Sequence, residues 1–190
     1  NATVGPRMLK VLKKKAKNIV YGTQADEITL TDKAAVFVPK PISAKTAVFS
    51  YTVPATGRSE AWGTLVLPFA PATVRDGNGQ DADWFHNDSE TGKNFRILDF
   101  TSAAGQELYF TPAAELKPFH PYVVEWKGAW ANGTFDMAGQ KITFAGTDVQ
   151  LEQPEYISTY SKDFKFVGTM VPNTVADAYT LSADGTSFVR

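Results

Sequence analysis

The chain consists largely of short segments rich in β-branched and aromatic residues, separated at frequent intervals by Gly, Pro, Asn or Asp. Residues 48–53, 62–69, 122–127 and 164–171 are the clearest of these segments, and each has the length of a strand. β-Branched and aromatic side chains suit a pleated sheet, whereas Gly and Pro interrupt it. The pattern predicts an all-β fold, an antiparallel β-sandwich of jelly-roll type.

Three of the segments allow more detailed predictions. Residues 62–69 are apolar on both faces, which is typical of a central strand that is buried on both sides. Alternation places Tyr122, Val124 and Trp126 on one face of the next long segment, and we expect that face to point into the core. Gly168 interrupts a strand-like run and predicts a bulge or a close approach of another part of the chain.

The ends of the chain and one long polar stretch complete the predicted organisation. Residues 8–20 have helical spacing of apolar residues, which predicts either a short N-terminal helix or an irregular segment. We therefore divide the chain into an N-terminal lead-in, 1–27, and a single sandwich domain, 28–190. Residues 74–93 are predicted to be a loop. At the C terminus, Asp184-Gly185 lies between two apolar pairs and predicts a hairpin.

Composition excludes several classes of protein. The chain has 190 residues, 43% of them hydrophobic, which is too many for a disordered chain of net charge −1. The absence of Cys excludes disulfides and thiol chemistry. No apolar run reaches the roughly 20 residues of a membrane-spanning helix. Because the chain begins at Asn1 without a signal-peptide pattern, we expect it to be a processed segment of a longer protein.

One basic segment stands out against this near-neutral composition. It contains Lys10, Lys13, Lys14, Lys15 and Lys17, with apolar residues between them. No aromatic residues accompany it, so we do not expect nucleic-acid binding. The segment predicts either a solvated surface or a contact with an anionic partner.

The polar stretch contains the residues that best fit a cation site. Asp76, Asn78 and Gln80 alternate with Gly77 and Gly79, and Asp81 follows. Calcium takes six to eight oxygen ligands, and side chains of this kind supply them. The spacing departs from an EF-hand loop at two diagnostic positions, where Asp81 and Asn87 stand. We expect either a calcium site or a solvated loop here, and no other cofactor.

Two further constellations of polar residues are weaker. His86 could bind zinc together with Asp83 and Asp88, which lie near it in the sequence. A pair of carboxylates on opposite sides of a cleft would describe a glycosidase. The candidates for such a pair lie in or beside predicted strands: Glu107, Glu115, Glu125, Asp136 and Asp148.

Aromatic residues in polar surroundings suggest a site for sugars. Trp84 lies in the long polar stretch, and Trp130 lies between Gly128 and Asn132. Flat aromatic side chains stack on the apolar faces of sugar rings. We therefore name Trp84 and Trp130 as candidate glycan-binding residues.

The order of the strand-like motifs resembles a known type of domain. The motifs are ITLTD at 28–32, VFSY at 48–51, WGTLVLPF at 62–69, LKPFHPYVV at 116–124, FAGT at 144–147, FVGTMVP at 166–172 and AYTL at 178–181. In this order they resemble a domain of large surface and secreted proteins of Bacteroidetes. That domain often follows leucine-rich repeats of the adhesin-like or internalin-like kind.

The resemblance implies an extracellular or cell-surface location and a β-sandwich, and it implies no activity. From it we expect a non-catalytic structural or interaction module of adhesion type, with a protein or a glycan as its partner. Two alternatives stay open, a carbohydrate-binding module that uses loop aromatics and a glycosidase-like enzyme with a carboxylate pair. The sequence leaves the ligand and the oligomeric state undetermined.

Overall fold

The computed structural model describes residues 18–19, 23–38, 40–53, 60–82, 84–85, 95–105, 107–127, 139–152, 158–161, 164–170, 178–182 and 188–189. These residues form strands, turns and connections and contain no helix. The strands are β1 (Asn18–Ile19), β2 (Gln24–Thr31), β3 (Val36–Phe37), β4 (Ile42–Thr52), β5 (Glu60–Val66), β6 (Thr73–Arg75), β7 (Trp84–Phe85), β8 (Phe95–Ala104), β9 (Glu107–Pro112), β10 (Pro121–Lys127), β11 (Lys141–Leu151), β12 (Ser158–Ser161), β13 (Phe164–Val167), β14 (Thr180–Leu181) and β15 (Phe188–Val189).

Two sheets contain most of these strands. The first sheet has the order β2-β4-β11-β6, and the second has the order β5-β10-β8-β7, with β9 also paired to β8. One hydrophobic core contains residues of both sheets, as in a β-sandwich. It includes Leu30, Ile42 and Phe144 from the first sheet and Phe95 and Tyr122 from the second. The predicted all-β fold class is confirmed.

The pairing of strands differs from a purely antiparallel arrangement in both sheets. β2 runs parallel to β4 in the first sheet and β7 runs parallel to β8 in the second, while β1 and β3 pair in parallel as a separate two-stranded sheet. Parallel neighbours cannot be joined by a tight hairpin, so the chain needs a longer connection. Residues 32–41 supply that connection between β2 and β4, and β3 lies within it.

The structure confirms the predicted C-terminal hairpin and places strands within the predicted loop. The predicted helix over 8–20 lies outside the described residues, apart from β1. The C-terminal hairpin is confirmed, because β14 pairs with β15 in antiparallel. The loop predicted over 74–93 is wrong in part, since β6 and β7 fall within it. The division at residue 27 remains a prediction, and β2 begins before it. No helix in the described part of the chain could span a membrane.

The segment predicted as a central strand lies at a sheet edge. Among the described strands, β5 pairs only with β10, so the prediction for residues 62–69 is wrong in this respect. Its apolar character has another cause, because residues beyond the strand, Leu67 and Phe69, are buried in the core. The core positions predicted for Tyr122 and Val124 are confirmed. The side chain of Trp126 lies outside the described part of the structure.

A second apolar layer covers the outer face of the second sheet. Leu98, Phe100 and Val123 are buried but point away from the core between the sheets. The ring of Phe166, on β13, contacts the rings of Phe100 and Phe110, with centroids 6.0 and 5.8 Å away. The hairpin of β12 and β13 therefore lies over β8 as a third layer.

Gly168 lets this third layer approach the second sheet closely. A Cβ atom at Gly168 would lie 2.5 Å from Cγ2 of Val66 and 3.1 Å from Cβ of Pro121. Both distances are shorter than ordinary van der Waals contact, so no larger residue fits without movement of the chain. The close approach predicted for Gly168 from the sequence is confirmed.

In three neighbouring strands of the first sheet, the alternation of buried and exposed side chains shifts by one residue at the same level. In β4 the buried side chains are at 42 and 44 and then at 47, 49 and 51, and β11 shifts in the same way between 146 and 149. The pairing skips Asp26, Lys45 and Asp148 together. Asp148 has a φ of 51°, a left-handed conformation that Asp adopts more readily than most residues. We call this feature the matched kink.

Substitution of Gly168 tests the contact of the third layer. We expect Gly168→Ala to lower the free energy of unfolding by about 1–3 kcal/mol, because the added methyl group overlaps Val66. Gly77→Ala is the matched control, since its Cβ would meet nothing closer than 3.4 Å, and we expect a change within about 0.5 kcal/mol. Urea unfolding measures both values. Equal effects of the two substitutions would show that the close approach is not a constraint.

Candidate functional site

A buried ion pair lies on the outer face of the second sheet. Glu125, on β10, is the only charged side chain that is buried in the described part of the chain. The strand register places it directly between Trp62 on β5 and Arg96 on β8. Both Nε and Nη2 of Arg96 contact Oε2 of Glu125. The half-buried indole of Trp62 lies beside the pair.

The pairing explains how this sheet tolerates a buried carboxylate. An isolated charge removed from water costs several kcal/mol, and a guanidinium that donates two hydrogen bonds offsets that cost. Because the carboxylate is enclosed and already bound by Arg96, it is suited to holding β8 and β10 in register. It is poorly placed to exchange protons with a substrate.

A second cluster joins His120, Asp99 and Tyr122 at one end of the second sheet. Nε2 of His120 lies 2.8 Å from Oδ1 of Asp99. The imidazole also packs against the ring of Tyr122, with centroids 4.7 Å apart. The hydroxyl of Tyr122 accepts a hydrogen bond from the Lys117 N–H (2.8 Å) and donates one to the Glu115 carbonyl oxygen (3.1 Å). Burial raises the pKa of the Tyr122 phenol.

These contacts fix the connection between β9 and β10. Phe119 in that connection has a φ of 58°, an unfavourable conformation for a bulky residue. Its N–H donates to the carbonyl oxygen of Leu67 at 2.6 Å, which holds the strained residue in place. The cluster of His120, Asp99 and Tyr122 therefore anchors a strained loop, and this accounts for its hydrogen bonds.

The anchored loop forms one wall of a shallow cleft. The cleft has a volume of about 380 Å³ and lies between residues 70–74 and residues 114–116. Small apolar side chains line most of it, and Glu115 is the one carboxylate among the described residues of its lining. Oε1 of Glu115 lies 3.1 Å from Nζ of Lys117. A single exposed, paired carboxylate lacks the opposing acid or base that general acid–base hydrolysis of glycosides requires.

Two other groups have a raised pKa, and each has its own cause. Burial raises the pKa of the Asp32 carboxyl, which lies just after β2 in the first sheet. The hydrogen bond from Tyr109 to Glu107 raises the pKa of the exposed Tyr109 phenol. Perturbed groups that converge in a pocket indicate an active site. Asp32 belongs to the first sheet, whereas Tyr109 belongs to β9 in the second sheet.

The predicted calcium ligands lie in a tight turn. Oδ1 of Asp76 accepts hydrogen bonds from the N–H groups of Asn78 (2.8 Å) and Gln80 (2.9 Å). Oδ1 of Asp81 lies 3.5 Å from Nε of Arg75. Two of the four predicted ligands are thus engaged with the protein itself. Within the described residues, no group of three or more His, Asp or Glu side chains could hold a metal ion. The calcium site remains a prediction.

The other predicted site residues fall largely outside the described part of the chain. Trp130, Asp83, His86, Asp88 and Asp136 lie outside it. Trp84 belongs to β7, which pairs in parallel with β8, and only its backbone is described. The glycan and zinc hypotheses therefore remain predictions.

The described carboxylates of the glycosidase hypothesis have separate settings. Glu125 lies on the second sheet, whereas Asp148 lies in the matched kink of the first sheet. Glu107 begins β9, where its Oε2 accepts a hydrogen bond from Tyr109 at 2.6 Å. Glu115 lines the cleft. None of these contacts joins one of the four carboxylates to another.

Sequence reasoning missed Arg96, Asp99 and His120 as partners in the two clusters. Arg96 and Glu125 are 29 positions apart, and Asp99 and His120 are 21 positions apart. Only the antiparallel register of β8 and β10 brings them together. The available signal was the presence of charged residues within two largely apolar strands, Arg96 and Asp99 in β8 and Glu125 in β10.

Exposed large hydrophobic side chains are concentrated towards the C terminus. Among the described residues, Tyr109 is the one exposed large hydrophobic side chain outside this region. The others are Phe164 and Val167 on β13, Tyr179 beside β14, and Phe188 and Val189 on β15. β14 lies next to β5, and Gly168 contacts Val66 at the end of β5. We call these five residues the C-terminal apolar set.

Comparison of the chain with protein-family models, with curated proteins and with solved structures finds no match.

Removal of Arg96 tests the role of the buried pair. We expect Arg96→Met to destabilise the fold by about 3 kcal/mol, because the Glu125 carboxylate stays buried without its partner. Arg96→Met combined with Glu125→Leu should restore most of the stability, because the double substitution leaves no unpaired buried charge. Lys45→Met is the control, since it breaks an exposed ion pair worth less than about 1 kcal/mol. Failure of the double substitution to recover stability would contradict this account.

Tyr122 should make the fold sensitive to alkali. Its pKa is raised in the folded state, so its stabilising contribution is present below the unfolded value of about 10 and is lost as the pH rises through the folded value. Tyr122→Phe should cost about 1–2 kcal/mol at pH 7, through two lost hydrogen bonds, and should lose less stability between pH 9 and 11. Urea unfolding across this range measures both effects. Tyr179→Phe, at an exposed position, is the control, and a matching alkaline loss in wild type and Tyr122→Phe would disprove the assignment.

Proposed function

We propose that the chain is a non-catalytic interaction module of an extracellular bacterial protein. The observation that carries the proposal is the C-terminal apolar set. Isolated exposed hydrophobic residues are common, but several large ones on or beside the short strands β13, β14 and β15 favour a protein–protein contact site. Tyr179 is the most exposed, at 63%. Tyr and Phe are also residues that contribute strongly to binding in interfaces.

The settings of the polar groups support the same proposal. The buried Glu125 stabilises strand register, Tyr122 and His120 anchor a loop, and Asp76 closes a turn. These groups already have structural partners, which favours a scaffold over an enzyme. The extracellular location is proposed from the resemblance of the motif order to surface proteins.

Binding of the purified domain to immobilised fibronectin, collagen and mucin, and to itself, tests the proposal. We expect at least one of these surfaces to retain the wild-type protein. Tyr179→Ser combined with Phe188→Ser should weaken that binding at least tenfold, because truncation of an aromatic interface residue costs about 2 kcal/mol or more. Tyr109→Ser is the matched control, since Tyr109 is exposed outside the set. Melting temperatures confirm that all variants fold.

Two results would count against the proposal. Equal binding by the C-terminal and Tyr109 variants would remove the role of the C-terminal apolar set. Turnover of any substrate in a panel for glycosidases and peptidases, abolished by a single Asp or Glu substitution, would show that the domain is an enzyme.

A further inference from the structure

The face of the first sheet that points away from the core carries mostly hydroxyl side chains. Ile28, Leu30, Phe49 and Phe144 point into the core, so their neighbours along each strand point outward. On the side of the matched kink that contains Thr31, the outward Thr and Ser residues are Thr29 and Thr31 on β2, Thr46, Ser50 and Thr52 on β4, Thr143 and Thr147 on β11, and Thr73 on β6. We call these eight residues the hydroxyl face.

The strand register arranges these hydroxyls in rows across the sheet. Thr31, Ser50 and Thr143 are directly opposite one another on β2, β4 and β11. Thr46 and Thr147 form a second row on β4 and β11, with Glu27 of β2 at its end. Neighbouring strands lie about 4.8 Å apart, and outward residues repeat about every 6.7 Å along each strand. The hydroxyls therefore form a regular grid.

Between these two rows lies a row of different character. Thr29 and Thr73 occupy its ends, and the small apolar side chains of Val48 and Ala145 occupy its middle. A surface of this kind offers hydroxyls at the margins and apolar contact at the centre. Sugar rings have a matching arrangement, with hydroxyls around the edge of the ring and C–H groups on its faces.

The hydroxyl face is accessible to a ligand. Thr29, Thr31, Thr73 and Thr147 are exposed, and Ser50, on the middle strand β4, is half-buried, as expected where neighbours flank it on both sides. A hydroxyl offers one donor and two acceptor positions. Thr29 donates to Glu27 and Thr46 donates to the carbonyl oxygen of Asp26, both at 3.1 Å. These two oxygens can still accept hydrogen bonds from a ligand.

The charges around the hydroxyl face match a neutral ligand. Lys45 and Asp26 pair at 2.8 Å in the matched kink, and Arg75 approaches Asp81 to 3.5 Å at the β6 edge. The row of Thr29 contains no charged residue, and the row of Thr31 contains only Arg75, at its end. Outside these rows, Glu27 ends the row of Thr46 and Lys141 lies opposite Thr52, so charges of both signs border the face. An anionic or cationic polymer would therefore find no excess of opposite charge, whereas a neutral one would lose no favourable charge contacts.

We propose that the hydroxyl face binds an extended, neutral polysaccharide. Each hydrogen bond between hydroxyl groups adds little net free energy, because both groups leave water to form it. A repeating polymer engages many positions of a repeating grid at once, and the contributions then accumulate. The ligand class follows from this repetition, and the proposal is independent of the protein contacts of the C-terminal apolar set.

Depletion of the purified domain by insoluble polysaccharides tests this proposal. The probes are microcrystalline cellulose, chitin and an insoluble β-1,3-glucan, with polygalacturonate gel as an anionic comparison. We expect at least one neutral probe to deplete the wild-type protein. Thr31→Val, Ser50→Ala and Thr143→Val combined remove one row of hydroxyls with little change in shape. This variant should bind about tenfold more weakly, the effect of losing three modest hydrogen bonds.

Controls separate the hydroxyl face from other sites. Thr64→Val with Thr111→Val makes the same change at exposed positions of the second sheet and should bind like wild type. Trp84→Ala with Trp130→Ala removes the two candidate glycan-binding tryptophans named from the sequence and should also retain binding. Melting curves establish that each variant is folded.

The proposal is overturned if no neutral probe depletes the wild-type protein, or if the row variant binds as well as the Thr64 and Thr111 control. It is also overturned if polygalacturonate binds more tightly than every neutral probe. Loss of binding in the tryptophan variant alone would assign glycan binding to Trp84 and Trp130 instead.

Discussion

Strand β10 contributes side chains to two apolar layers at once, and the second sheet is built around this double burial. Tyr122 and Val124 fill the core between the sheets, while Val123 and Glu125 are buried on the opposite face. A strand in this position cannot place a charge on either face without a partner. Arg96 is therefore required directly opposite Glu125, and a covering layer is required over Val123.

The covering layer explains which residues occupy β13 and the short segment that follows it. Phe166 must reach the rings of Phe100 and Phe110, and the chain must then pass close to Val66. Only a residue without a side chain fits at that crossing, which accounts for Gly168. Beyond it, the N–H of Val36 donates to the carbonyl oxygen of Met170 at 2.9 Å and links the third layer to the connection beside the first sheet. One short segment thus ties both sheets together.

The sequence was sufficient for the fold class and for the features that depend on local pattern. Alternation identified Tyr122 and Val124 as core residues, and an isolated glycine indicated the close approach at Gly168. It was insufficient where the deciding contact is distant. The residues of β5 do not show that it is the edge strand among the described strands of its sheet. The residues around Glu125 in the sequence do not reveal its partner on β8.

The candidate sites show the same limit. The carboxylates and histidines could be counted, but their partners depended on strand register, which a single sequence does not contain. A three-residue strand such as β6 also resembles a polar turn, because two of its three residues face solvent. The hydroxyl face is a property of four strands together, since each strand contributes only one to three of its Thr and Ser residues.

The matched kink restricts how the lengths of these strands can change over evolution. Each of β2, β4 and β11 carries one additional residue at the same height, at Asp26, Lys45 and Asp148. Deletion of one of them alone would turn half of its strand over and exchange its core and surface side chains. Insertions and deletions here are therefore coupled among three strands that are distant in the sequence. In homologous chains, the three positions should be present together or absent together.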